Sequence, residues 1–506
     1  MRQPSPCLAL VLLGLSGVAL AGGTLRYAED RAPAILNPLF ATTMSEARIH
    51  ELVFEGLFTD DTELRSVPRL ARSLELAPDG RSARVHLRDD VRWHDGEPFD
   101  AGDVAFTIQA MKHPETASSE AARVAWIREA VVIDPHTVEL RFEGVERAPE
   151  DRLHFKILPE HRFQGPVVPR THPFRTAPVG TGPYTAVSFN DDASITLQRN
   201  PLAPDPASID TITMREVADN GYQAKLLLYE SLEVLVRVLP RDLAVLRNAR
   251  HVELYPYQTN SWWYVGFNHA DARLRDPRVR EALAAFVDVP ALLAPIGTGE
   301  IVTGPFVPSS PFYDHEVKPR PHDPERGRAL LSEAGYLRDG HRWLGPDGKP
   351  LVLRVATVQG LDTAQDVLVN LQSQLQSQGV LVEPEFLGVA EWKRRIWHER
   401  DYDLVLGLWS FDRNEDVYEH LHSRGSRNLV GYADARVDEL LDAARRSEDP
   451  QQKKQLLRQV HAEVAADAPM IFLWTLDSWS AVSTDVRNVV VHPFYFFTWA
   501  RDWTIE

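Results

Sequence analysis

Side chains that could do chemistry are plentiful in this sequence, but few stand at spacings that a reaction can use. His420 and His422 flank Leu421 and could approach one metal ion; in so polar a stretch they read instead as two solvated histidines. His50-Glu51 has no second histidine at the spacing of a zinc protease. Gly180 and Gly182 are followed by Pro183, which blocks a helix start that could cradle phosphate. The G-x-S-x-G, H-E-x-x-H, G-x-x-x-x-G-K-[ST] and G-x-G-x-x-G patterns are absent. The single cysteine, Cys7, stands in an N-terminal segment read below as removable, which leaves no thiol for catalysis. A secreted hydrolase would need a nucleophile–base pair, and no constellation proposes one. What remains is a tip: Trp409, Phe411 and Asp412 directly follow the strand-like run Asp403–Leu408, DLVLGL.

The segments upstream say what holds that tip. Leu351–Ala356 reads as a strand. Thr363–Gln378 reads as a helix, with Val367, Leu368, Leu371 and Leu375 on one stripe and Gly379 at its end. Val380–Phe386 is strand-like, Val389–Glu399 is a short helix, and Asp403–Leu408 is the third strand. This βαβαβ order predicts a parallel sheet covered by helices. Ligands of such sheets bind beyond the carboxyl ends of the strands, which makes the tip a candidate site.

Elsewhere, Arg84–Arg88, Val138–Phe142 and Ser194–Gln198 alternate apolar and polar residues, as half-buried strands do. Pro78-Asp79-Gly80, Asp95-Gly96 and Pro346-Asp347-Gly348 mark turns. Asp276-Pro277 and Asp323-Pro324 open helices, with Asp as cap and Pro at the first helical position. Val437, Leu440, Leu441 and Ala444 share one helical face, as do Leu456, Val460 and Val464.

The first 21 residues are of another kind. Arg2, an apolar run from Cys7 to Leu20 and the exit Ala19-Leu20-Ala21 describe a secretory signal peptide, with cleavage expected after Ala21. Cys7 comes too early to be a lipoprotein cysteine, so the mature chain should carry neither lipid nor disulfide. At about 150 residues per domain, 506 residues suggest about three domains. The formal net charge of −17 argues against a nucleic-acid partner, because phosphate binding needs concentrated positive charge.

Pro68–Met111, PRLARSLELAPDGRSARVHLRDDVRWHDGEPFDAGDVAFTIQAM, resembles the signature region of the family-5 extracellular solute-binding proteins, the peptide-, nickel- and haem-binding subunits of ABC importers. Further blocks follow in family order: Leu36-Asn37-Pro38, His50–Phe58, Val179–Tyr184, Val265–Asn268, Asp276–Leu283, Ala329–Tyr336, the Trp409–Asp416 tip and Asp467–Met470. Within the long block, Trp93, Phe99, Val104, Phe106 and Ile108 read as core and Asp100 as a helix cap, a scaffolding role.

The resemblance implies an α/β, two-lobed periplasmic binding protein fold (type II-like, cluster C) with an extra subdomain on the first lobe. Residues 22–45, 175–260 and 478–506 would form the main part of the first lobe, 46–174 its extra subdomain and 261–477 the second lobe, with crossings near Tyr257–Asn268 and Leu473–Ser480. It implies a monomeric protein of the periplasm that catalyses nothing, needs no cofactor and delivers a peptide or other small solute to ABC importer permease subunits in the inner membrane. Metal chelate, haem and oligosaccharide are the alternative ligands, and the 12 tryptophans suit stacking on a porphyrin or sugar.

Peptide-binding members hold the ligand's α-ammonium with an aspartate at the tip and a tryptophan three residues earlier; Asp412 and Trp409 match, with Phe411 between them. Thr42, Thr43 and Met44 fall where the family lines its cleft with extended backbone, able to pair with a peptide as an added strand. Trp262, Trp263 and Tyr264 stand at the first crossing; on a strand they alternate, so at most two can face the cleft. The arginines that such members use for the ligand carboxylate are missing: Leu406 stands at one position, and Ala364, Gln365 and Asp366 at the other.

Overall fold

The alternation read in Arg84–Arg88 and Val138–Phe142 becomes two neighbouring antiparallel strands, Ser82–Leu87 and Thr137–Phe142, at the centre of a four-stranded sheet flanked by Ala71–Leu76 and Ile127–Asp134. In the computed structural model of the chain, residues 22–190, 194–257, 260–361, 363–411, 415–447 and 449–506 are described; the expected signal peptide, residues 1–21, and Asp412 lie outside them.

A second, seven-stranded sheet draws its strands from both ends of the sequence. Its order is Val252–Tyr257, Ser478–Ser483, Val234–Leu235, Thr24–Glu29, Thr211–Glu216, Ile195–Arg199 and Tyr184–Phe189. It shares one continuous apolar core with the four-stranded sheet. Trp93, Phe99, Val104, Phe106 and Ile108 are all buried in that core, and Asp100 caps the helix Ala101–Lys112 by accepting from the Gly102 N–H. The VGTGPY loop packs on the end of the helix Met44–Val53. A Cβ added at Gly180 would sit 1.8 Å from the Val53 carbonyl oxygen, so only glycine fits there. His94 pins the loop: its Nδ1 accepts from the Gly180 N–H at 3.1 Å, leaving Nε2 to donate to the Gly182 carbonyl at 3.1 Å.

The third sheet has five strands in the order Leu381–Leu387, Val352–Val358, Leu404–Phe411, Asn260–Phe267 and Met470–Phe472. The βαβαβ reading holds for its first three strands, which run parallel, with the helix Ala364–Ser377 as the first crossover. The sheet as a whole is mixed rather than parallel, because Asn260–Phe267 runs antiparallel to Leu404–Phe411. That strand arrives from far upstream, where no local pattern reveals its direction. Separate apolar cores cover the two faces of this sheet. Asp276 and Asp323 cap the helices Pro277–Ala285 and Pro324–Glu333 as read, each with Pro at the first turn. The chain passes from the seven-stranded to the five-stranded sheet between Tyr257 and Asn260, leaves the latter after Phe472, pairs Trp474–Thr475 with Glu300–Ile301, and rejoins the seven-stranded sheet at Ser478. No helix among the described residues is long and apolar enough to cross a membrane.

Candidate ligand site

Trp409 and Phe411 are the last inward-facing residues of the strand Leu404–Phe411, not residues beyond it. Being two apart they share a face, and both are partly buried against the same core. Opposite them, Trp262 pairs with Trp409 and Asn260 with Phe411 in antiparallel register. The rings then stack: Trp262 on Phe411 at 6.0 Å and Tyr264 on Trp409 at 5.9 Å with planes 1° apart. Gly407 makes room for this, since a Cβ there would lie 3.0 Å from the Tyr264 ring.

The three consecutive aromatics alternate as a strand requires. Trp262 and Tyr264 enter the core under Trp409, and Trp263 enters the core on the other face. Their exposures are 1%, 4% and 2%, so they support the tip from beneath and present no surface. Leu406, where an arginine was sought, is a core residue. Asp412 cannot be placed relative to these rings, since it lies outside the described residues.

His420 and His422 overturn the solvated reading, because both are buried. His420 is wedged edge-on against Trp409 at 4.3 Å and Phe411 at 4.8 Å. Neither of its ring nitrogens has a hydrogen-bond partner. Burial, with Arg427 adding to it, pushes its pKa down to about 4, so the imidazole is neutral at physiological pH. His422 stacks on Tyr418 at 4.3 Å and accepts from the Arg424 N–H at 3.0 Å. The two do not form a metal cluster; none occurs among the described residues.

Sequence reasoning missed Trp392 and Trp397. Trp397 lies edge-on to Trp409 at 6.1 Å, and Trp392 meets Trp397 at 6.2 Å. The expected short helix Val389–Glu399 is in fact one α-turn, Val389–Trp392, continued by a π-helix, Lys393–Glu399. The α-helical assumption hid the pairing, since a period of 3.6 sends residues five apart to different faces.

In the other half of the chain, Thr42, Thr43 and Met44 line a cavity of about 290 Å³ together with Glu51, Asp60 and Lys156. They do not form the expected strand-like edge. Thr43 caps the helix Met44–Val53 in a reciprocal box with Glu46, and Met44 is its first residue. The Glu46 carboxylate takes the backbone N–H groups of Thr42 at 2.7 Å and Thr43 at 3.0 Å, which a paired peptide would need. The capping pattern T-M-S-E was present in the sequence and favoured the helix.

The charges around the cavity are paired. Glu51 meets Lys156 at 2.5 Å and accepts from the Thr498 hydroxyl at 3.1 Å. His492 Nδ1 accepts the backbone N–H groups of Phe494 and Tyr495, so its Nε2 carries the proton and donates to buried Asp60 at 3.1 Å. His50 is held neutral, its pKa pushed down to about 3 by burial and then by Lys156. A serine–imidazole contact also appears that no motif announced: Ser66 Oγ lies 2.9 Å from His154 Nε2. The Ser66 hydroxyl donates to Asp151 at 2.6 Å, and His154 Nδ1 is 3.9 Å from Asp60. With the hydroxyl proton already on Asp151, the imidazole is not set to take it, and 3.9 Å is too long for the orienting bond of a hydrolytic triad.

This arrangement, two lobes built on mixed sheets with a ring-lined strand end, is that of the two-lobed solute-binding fold. The model of the bacterial extracellular solute-binding proteins, family 5 (middle), matches residues 65–428, and the chain belongs to that family. Protein XP55 of Streptomyces lividans is 30% identical over 459 residues, covering 86% of this chain and 82% of that protein. The oligopeptide-binding protein AppA of Bacillus subtilis is 23% identical over 499 residues, 94% of this chain and 91% of AppA. The structure of AppA in complex with a nonapeptide superposes with a TM-score of 0.81 at 21% identity, over 96% of this chain and 99% of AppA. NikZ of Campylobacter jejuni, in complex with Ni(L-His), superposes with the same TM-score at 23% identity, over 95% and 99%.

Proposed function

We propose that this protein is exported to the periplasm, its signal peptide cleaved after Ala21, and that as a soluble monomer it captures a peptide-like solute between two closing lobes and delivers it to an ABC importer. It catalyses no reaction on the solute. Residues 22–45, 175–260 and 478–506 with the subdomain 46–174 make the first lobe, and 261–477 the second. The crossings near Tyr257–Asn268 and Leu473–Ser480 serve as the hinge. The ligand stabilises the closed state by its greater affinity for it.

The observation that carries this reading is the ring-walled carboxyl end of Leu404–Phe411, immediately before Asp412. Ligands of parallel strands bind at that end, and a carboxylate there suits the α-ammonium of a peptide. The likeness of the whole chain to AppA, whose structure holds a nonapeptide, supports the ligand class. Thr42, Thr43 and Met44 contribute through side chains to the cavity on the first lobe, not through a paired backbone.

A second reading, a metal chelate, has one specific observation in its favour. Leu406 and Ala364 are buried apolar residues where a peptide carboxylate would want arginine, and NikZ holds Ni(L-His) on the same fold. Mass spectrometry of material released by denaturing protein purified from the periplasm distinguishes them. Peptide masses are expected; a released metal complex with no peptide would overturn the first reading.

A further inference from the structure

We propose that Trp392, Trp397 and Trp409 form a subsite that takes a planar, unsaturated ring of the ligand. The proposal rests on the solute-binding reading above and adds what that site selects.

Trp392 and Trp397 stand five residues apart. In an α-helix, 100° per residue would put them 140° apart around the axis. The π-helix Lys393–Glu399, whose hydrogen bonds run from i to i+5, brings them about one turn apart instead. Their ring centroids are 6.2 Å apart, and Trp397 is 6.1 Å from Trp409. Such π segments are rare and occur frequently at functional sites, and here the segment's effect is to complete a row of three indoles.

The row has a surface and a floor. Trp392, Trp397 and Trp409 are each partly exposed, whereas Trp262, Tyr264 and His420 beneath them are buried. The π-helix begins just after the strand Leu381–Leu387 ends, and Trp409 closes the neighbouring parallel pair. The row therefore lies at the carboxyl edge, where ligands of such sheets bind.

The chemistry favours a neutral ring. The indole planes meet at 40° and 67°, and aromatic rings add to one another in tilted and edge-on arrangements with centroids about 4.5–7 Å apart. A cation could also use indole faces. The carboxylates of Glu399, Glu385 and Asp401 beside this segment, however, are taken up by Arg394 at 2.7 Å and by Arg395 at 3.0 and 3.1 Å, so none of the three is left as a counter-ion for a cationic guest.

The test is calorimetry on the mature full-length protein with the tripeptides Ala-Phe-Ala and Ala-Ala-Ala, and absorbance titration with an iron-free porphyrin. The wild type is expected to bind Ala-Phe-Ala at least about fivefold more tightly than Ala-Ala-Ala. Trp397→Ala should reduce that preference to within about twofold, and Trp397→Phe should retain most of it. A general loss of structure would weaken both tripeptides alike and would not be rescued by phenylalanine. Should Trp397→Ala fail to fold, Trp392→Ala carries the same expectation. If both tripeptides bind equally to the wild type, or the preference survives both alanine variants, the ring subsite is wrong while the peptide reading stands. If no tripeptide binds but the porphyrin does, and Trp397→Ala weakens it, the subsite stands and the peptide reading falls. If Ala-Ala-Ala binds but no ring-bearing probe does, the subsite alone falls, and if nothing binds, both fall.

Discussion

The cavity lined by Thr42, Thr43 and Met44 and the end of the strand Leu404–Phe411 solve burial in different ways. Around the cavity, carboxylates are matched: Glu51 has Lys156 and Thr498, and Asp60 has His492. At the strand end the matching is between rings, and polar atoms are left over: both nitrogens of His420, the Trp262 indole N–H and the Thr357 hydroxyl are buried without partners. A matched polar wall is rigid, because each buried charge would cost several kcal/mol if its partner moved. A wall of packed rings has no such charge pairs to keep in register. In the proposed solute site the matched wall would set geometry and the ring wall selectivity.

Acid should erode both regions and gives the largest effect. His50 has its pKa pushed down to about 3, and His94, His420 and His461 to about 4, in each case by burial first. A histidine depressed in the fold binds fewer protons there than when unfolded. Stability is therefore complete above about pH 6.5 and falls as pH drops toward 4, by up to about 1.4 kcal/mol per pH unit for each imidazole. Asp103 opposes this, since burial raises its pKa to about 6, and burial raises Glu120 and Asp242 as well, while burial also lowers His172 and His269 and adds to the fall. Urea midpoints between pH 7 and 4 should fall steadily, and His420→Phe should flatten part of the slope. A flat profile would show that these imidazoles are hydrated.

His492→Ala tests the matched wall. It strips one donor from buried Asp60 and the acceptor from two backbone N–H groups, and should cost about 3 kcal/mol. The expected readout is a lower urea midpoint at pH 7. A loss under 1 kcal/mol, by the scale of an ordinary hydrogen bond, would mean that other neighbours of Asp60 hold its charge without His492.

Asp412→Asn tests the other side and has the smallest effect. It keeps the shape and removes the charge, so an amine-bearing peptide should bind at least about tenfold more weakly, about 1.4 kcal/mol. An N-acetylated peptide should bind the wild type poorly and lose little more in the variant, and the ligand-free melting temperature should stay nearly unchanged. If the variant unfolds without ligand, Asp412 supports its turn rather than the solute.

Within a few residues of each position, the sequence by itself determined a great deal. Alternation over five residues marked the two central strands of the four-stranded sheet, the stripe Val367, Leu368, Leu371 and Leu375 marked a helix that buries all four, and Asp100, Asp276 and Asp323 declared the helices they cap. These signals are local because a period of 2 or 3.6, or a cap, is read over one or two turns. Tertiary structure alone decided the rest. His492 finds Asp60 across 432 residues, and a strand beginning at Asn260 lays its aromatics beneath Trp409. His420 becomes a buried wedge in a stretch whose composition is that of a surface loop. The π-helix, too, sets Trp397 against Trp392 and Trp409, partners that an α-helical reading of the segment does not bring together. Burial and ring packing are properties of neighbours distant in the chain, and one strand's pattern does not say which strand will lie beside it.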